Sequence, residues 1–118
     1  MAQQVITKAL LSGSTNGKGK LVTGTTTGTS VTIHTHAGAS TFDEVYLYAY
    51  NGHTTTVLLT IEWGEATVPD GNILINFPGK AGRFLIVDGR LINGSLAIKA
   101  FAATANVIVI DGFVNQIT

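Results

Sequence analysis

Residues 41–64 constrain the fold more than any other stretch: TFDEVYLYAY, then NGHT, then TTVLLTIEWG. Two alternating runs flank Asn51-Gly52, a dipeptide that tolerates positive φ and marks tight hairpin turns. In the first run Val45, Leu47 and Ala49 fall on one side, and Phe42, Glu44, Tyr46, Tyr48 and Tyr50 on the other. In the second, Val57, Leu59, Ile61 and Trp63 oppose Thr56, Leu58, Thr60 and Glu62. Successive side chains alternate across a strand, so each run has one richly apolar face and one mixed face. The expectation is a β-hairpin at the heart of an antiparallel domain.

The rest of the chain is punctuated in the same way. Val31, Ile33 and Thr35 alternate with Thr32, His34 and His36 before a turn over residues 37–40. Pro69-Asp70-Gly71 leads into a run over 72–77, which Pro78-Gly79 stops. A strand over 83–87 is expected to end at Asp88-Gly89, and a short segment over 90–92 to close at Asn93-Gly94. Leu96, Ile98 and Ala100 alternate in the next run, and residues 107–114 form the last. About eight short strands without a convincing helix predict an all-β fold, an antiparallel β-sandwich. A jelly-roll-like form is favoured because eight strands fill two four-stranded sheets, with immunoglobulin-like and other Greek-key orders left open. Residues 12–29 are rich in Gly, Thr and Ser, with one weak edge strand over 20–23. Residues 1–29 are therefore expected to be an extended or flexible arm, and 30–118 a single sandwich domain.

Composition narrows the function classes. Charged residues make up 12% of the chain, about half the usual fraction, and seven basic residues balance seven acidic ones. No electrostatic footprint for nucleic acid or an anionic membrane is present. So little charge leaves a free surface poorly protected against association, which points to partners covering part of it. The absence of cysteine removes disulfides, thiolate catalysis and cysteine metal sites. The first residues are too polar for a signal peptide, and no window approaches the ~20 apolar residues that span a bilayer.

Chemistry is sparse. Asp70, Asp88 and Asp111 each precede glycine, as turn residues do. Glu62 and Glu65 are the acid types of a glycosidase, but nothing in their spacing sets them across a sugar. No Gly-x-Ser-x-Gly turn is present, and GKGK at 17–20 lacks the spacing of a phosphate loop. No catalytic residue, cofactor or metal is assigned, and a non-enzymatic protein is expected. His34 and His36 lie two apart, so on a strand both imidazoles would share a face and meet one metal ion in a symmetric trimer. The plainer alternative is a pair of exposed histidines, with His53 in a solvent-exposed loop. Tyr46, Tyr48 and Tyr50 form a stripe on one face of one strand. Such a stripe serves as core edge, as a protein interface or as a carbohydrate platform, and it is the candidate partner interface.

Taken together, DEVYLYAYN (43–51), TIEWG (60–64), AFAATAN (100–106) and GFVN (112–115) carry a resemblance. The chain resembles small virion structural proteins of tailed bacteriophages, and within them capsid decoration, or cement, proteins. The resemblance covers residues ~31–117. It implies a non-enzymatic protein, made in the host cytoplasm, that sits on the outer capsid surface of the virion. There it would bind the major capsid protein and itself, as a trimer, bridging capsomers and stabilising the shell. The N-terminal region would then be an arm lying on the capsid. A neck or tail structural component is the nearer alternative. A carbohydrate-binding β-sandwich module, using the tyrosine stripe, Trp63, His34 and His36, is the alternative of a different class.

Overall fold

The computed structural model describes residues 4–118. Nine strands form among them: β1 (Ile6–Leu10), β2 (Lys20–Leu21), β3 (Val31–Thr35), β4 (Phe42–Asn51), β5 (Val57–Trp63), β6 (Asn72–Phe77), β7 (Phe84–Ile92), β8 (Ala97–Ala102) and β9 (Ile108–Ile117). They make two antiparallel sheets. The five-stranded sheet runs β1-β9-β4-β7, with β2 also paired to β9, and the four-stranded sheet runs β3-β8-β5-β6. This is the jelly-roll order, two Greek keys folded over one core.

The count of nine against the expected eight has a simple origin. β1 pairs with residues 113–117 of β9 and β2 with residues 109–110, in the same direction. They are one jelly-roll strand interrupted by an excursion over residues 11–19. Within that excursion Leu11 is buried, and Gly13 donates its N–H to the Ile33 carbonyl in the other sheet at 2.9 Å. Val22, just past β2, is fully buried as well. The expectation of an extended or flexible arm over residues 1–29 is corrected accordingly for the described residues. From Ile6 onward this segment pairs as an edge and seals one side of the sandwich, because Leu11 and Val22 give it apolar surface to bury. Residues 1–3 of that expected arm lie outside the described residues.

The expected hairpin is also corrected. β4 and β5 both form, with the inward and outward sets read from their alternation, yet they belong to different sheets. Neither Asn51 nor Gly52 takes a positive φ. Asn51 instead builds a corner: its buried side chain donates to the carbonyls of Thr55 (3.0 Å) and Phe77 (2.9 Å) and accepts from the His53 N–H (2.8 Å). An amide held at both ends anchors a crossover, the Asx-turn use of this residue.

The core lies between the sheets. Val45, Leu47 and Ala49 from β4 and Ile108, Ile110 and Val114 from β9 face Leu59, Ile61, Ile98 and Ala100 from the other sheet, all fully buried. Asp88-Gly89 does not end a strand. β7 continues to Ile92 through two register shifts against β4, one of them around Gly89 at φ +79°. Such bulges twist an exposed edge away from further pairing.

Candidate functional site

Alternation in β4 puts the tyrosines outward. Each inward residue of β4 is buried, so Phe42, Glu44, Tyr46, Tyr48 and Tyr50 stand on the outer face of the five-stranded sheet. The stripe is therefore not core edge. Register then sets its neighbours. Tyr46 lies between Phe113 of β9 and Asp88 of β7, Tyr48 between Asp111 and Leu85, and Tyr50 beside Val109. Beyond β9, Leu10 of β1 stands opposite Phe113 and Leu21 of β2 opposite Val109.

The aromatic rings are organised by these neighbours. Tyr46 stacks on Phe113 with centroids 4.9 Å apart and planes 17° from parallel, and the Lys8 ammonium lies 4.5 Å from the Phe113 centroid. The Arg83 guanidinium covers Tyr48 at 3.9 Å and is itself held by Asp111, with Nη2 2.7 Å and Nε 3.1 Å from its carboxylate oxygens. That carboxylate raises the Arg83 pKa above its usual value. The Tyr46 hydroxyl donates to Glu44 Oε1 at 3.1 Å, and the Asn115 amide donates to the same oxygen at 3.0 Å. Glu44, accepting the Tyr46 proton, holds this phenol above the ordinary range, with desolvation adding to it.

Close approach of β9 to β4 under this face depends on Gly112. It sits opposite Leu47 at φ +148°, and a Cβ there would collide with the Tyr46 carbonyl. On this face Arg83 pairs with Asp111 and Glu44 accepts from Tyr46 and Asn115, while several apolar groups stand free. Tyr50 (40%), Phe42 (48%), Leu85 (44%), Leu91 (52%) and Leu10 (57%) are all exposed. The face thus combines paired polar groups with exposed aromatic and aliphatic side chains.

The histidines differ from their expectation. His34 and His36 are both buried, and they do not converge on one point. A bulge at Ile33 in the β3–β8 pairing turns His34 inward, where Nε2 lies 2.6 Å from Asp43 Oδ2 and Nδ1 accepts the Ser12 N–H at 3.0 Å. An acceptor role for Nδ1 makes His34 the Nε2–H tautomer, donating to Asp43. His36 donates from Nε2 to the Thr41 carbonyl (2.9 Å) and accepts at Nδ1 from the Gly38 and Ser95 N–H groups (3.1 Å each). All four ring nitrogens are thus spent on protein partners, and among the described residues no group of three or more metal-ligating side chains gathers. His34 and His36 join loops to strands.

Of the acidic residues, Asp70 lies in a turn before β6 as its glycine partner implies, whereas Asp88 and Asp111 lie within strands. Glu62 and Glu65 do come together, lining one cleft on the four-stranded sheet. Among the described residues no helix is long and apolar enough to cross a membrane. No family model matches the chain, and no curated protein or solved structure matches it.

Proposed function

We propose that this protein is a non-enzymatic structural protein of a virion, of the capsid-decoration type, that holds its partner through the outer face of the five-stranded sheet. The observation that carries the reading is that face, with Tyr46 and Tyr48 packed into an ordered platform and Phe42, Tyr50, Leu85 and Leu91 bare around it. The resemblance of residues ~31–117 to cement proteins supplies the partner: the major capsid protein, with further copies of this chain completing a trimer. A folded clamp that binds only the assembled shell stabilises that state by linkage, with no chemical step. Rigid β-structure under the contact surface limits the ordering cost of binding.

The test is sedimentation. Particles carrying the protein are banded on a density gradient and the copies per capsid subunit counted. The protein is expected to travel with the capsid in fixed proportion to the major capsid protein, and a Tyr50→Glu, Leu91→Glu double variant is expected to stay at the top of the gradient. A few copies per particle would place it in the neck or tail instead. Free protein in every fraction would end the proposal. Light scattering on the isolated chain checks the trimer, against which a strict monomer at high concentration would count.

A further inference from the structure

The opposite side of the sandwich carries a different kind of site. On β5, Thr60 and Glu62 point away from the core, yet both are buried, Glu62 to 3% exposure. The cover comes from the segment preceding β3, where a 3-10 turn, Thr27–Thr29, lies against β8. That segment is drawn tight. Ala102 donates its N–H to the Gly24 carbonyl at 3.1 Å, and the Thr29 hydroxyl oxygen accepts the N–H groups of Thr25 and Thr26 at 3.2 Å each. The Thr27 hydroxyl then donates to Glu62 Oε2.

The other carboxylate oxygen, Oε1, receives no hydrogen bond from the described residues, and it opens into a cleft of about 300 Å³. Thr27, Ser30, Glu62 and Glu65 line it, together with Ala97 and Lys99 of β8. Glu65 is exposed beside it, and its backbone packs closely on Gly71, where a Cβ would sit 2.5 Å from the Glu65 carbonyl oxygen. Lys99 is the cross-strand partner of Glu62, but its exposed ammonium makes no ion pair with it within 4.0 Å. Two carboxylates against one ammonium leave the cleft net negative. Glu62 is thus held by one hydroxyl at Oε2 while Oε1 faces the open cleft, where a cationic donor would meet a carboxylate with no counter-ion in contact.

We infer that this cleft receives a single cationic hydrogen-bond donor, a guanidinium or primary ammonium group, seated against Glu62. The volume is at the bottom of the range that holds small ligands, and fits a side-chain head better than a whole cofactor. A guanidinium satisfies Oε1 with a charge-assisted bond and can reach Glu65 with its second edge, the pairing for which its planar fork is suited. Thr27 and Ser30 hydroxyls remain to accept the outward N–H groups. Lys99 is the local competitor, near enough along the strand to screen the cleft when nothing fills it. The inference does not rest on the capsid reading, since the cleft lies on the other face of the sandwich.

The probe is L-argininamide, with n-propylammonium for the second head group and D-glucose as a neutral hydroxyl donor. The full chain is titrated and its backbone amides followed by NMR. Saturable shifts are expected at Thr27, Ser30, Glu62, Glu65 and Lys99, weakening with salt. Glu62→Gln keeps an oxygen for the Thr27 hydroxyl but removes the charge, and is expected to weaken argininamide binding about ten-fold or more. Lys99→Met removes the competitor at an exposed position and is expected to tighten it. Equal binding by wild type and Glu62→Gln, glucose binding as tightly as argininamide, or shifts confined to the tyrosine face would each overturn the inference. If Glu62→Gln loses its native spectrum, Lys99→Met decides: unchanged or weaker binding there overturns it as well.

Discussion

The two outer faces of this sandwich begin from the same pattern and end differently. β4 and β5 both alternate inward apolar residues with outward mixed ones. On the β4 face Phe42 and Tyr50 stay exposed while Phe113 and Arg83 cover Tyr46 and Tyr48; Arg83 pairs with Asp111, and Glu44 accepts from Tyr46 and Asn115. On β5 the outward Thr60 and Glu62 are roofed by a Thr-rich segment, with Thr27 lying 35 residues before Glu62 in the sequence, and Glu62 keeps one oxygen without a protein donor. An alternating strand tells which side chains leave the core. It does not tell what meets them there, and that is where binding chemistry is decided.

The contrast can be broken at four places, in descending order of effect. Gly112→Val drives a branched side chain into the Tyr46 carbonyl at a φ that L-residues avoid. It is expected to destabilise by more than about 4 kcal/mol in denaturant unfolding, removing the tyrosine face with the β4–β9 pairing beneath it. Thr27→Val deletes the one hydroxyl donated to Glu62 and is expected to cost about 1–2 kcal/mol by the same measurement, since the carboxylate is buried. Arg83→Met is expected to cost under about 1 kcal/mol, because its ion pair and its contact with Tyr48 lie at the surface. That small loss should nonetheless accompany weaker partner binding, as Tyr48 loses its cover.

The smallest effect is on titration. Tyr46 is held above its ordinary value of 10.0 by Glu44. A raised pKa means that the folded chain binds this proton more tightly than the unfolded chain. The contribution is complete below pH 10 and fades as pH climbs through the folded value. Glu44→Gln is expected to lower the Tyr46 pKa toward 10.0, read from its ring carbon shifts. An unchanged value would mean that the face is less tightly paired than its geometry implies.

Most of the strand content was legible because a period of two is a local property, written into each segment. Pairing was not. Asn51-Gly52 looks like a hairpin turn, and only the Phe77 carbonyl, brought in from β6, makes Asn51 a corner between sheets. Gly/Thr-rich residues 12–29 look like a mobile arm until Leu11 and Val22 find the core. Asp88-Gly89 reads as a stop because a bulge uses the same glycine that a turn does. The histidines read as surface because Thr flanks them; the Ser12 amide and Asp43 that bury His34 are local in neither direction. For the candidate face, the Tyr46, Tyr48 and Tyr50 stripe was readable from alternation alone. Its stacking partner Phe113 and its cover Arg83 arrive from distant strands, which no local pattern encodes. Glu62 and Glu65 read as a pair of acids, but the cleft they line is completed by residues from other segments, Thr27, Ser30, Ala97 and Lys99.

The final strand has a consequence for how the protein is made. β9 follows β1, β2 and β4 in the sequence, with Ile6 pairing to Ile117, and all three pair with it. On the ribosome β1 and β2 emerge with no partner to receive them and wait until residues 108–117 have been synthesised. Pairings that span most of the sequence are slow to close. Until Ile117 clears the exit tunnel, half of the sandwich has no centre, and Phe113 is not yet there for Tyr46 to stack on. A single truncation within the last ten residues is therefore expected to cost the whole five-stranded sheet, not its edge.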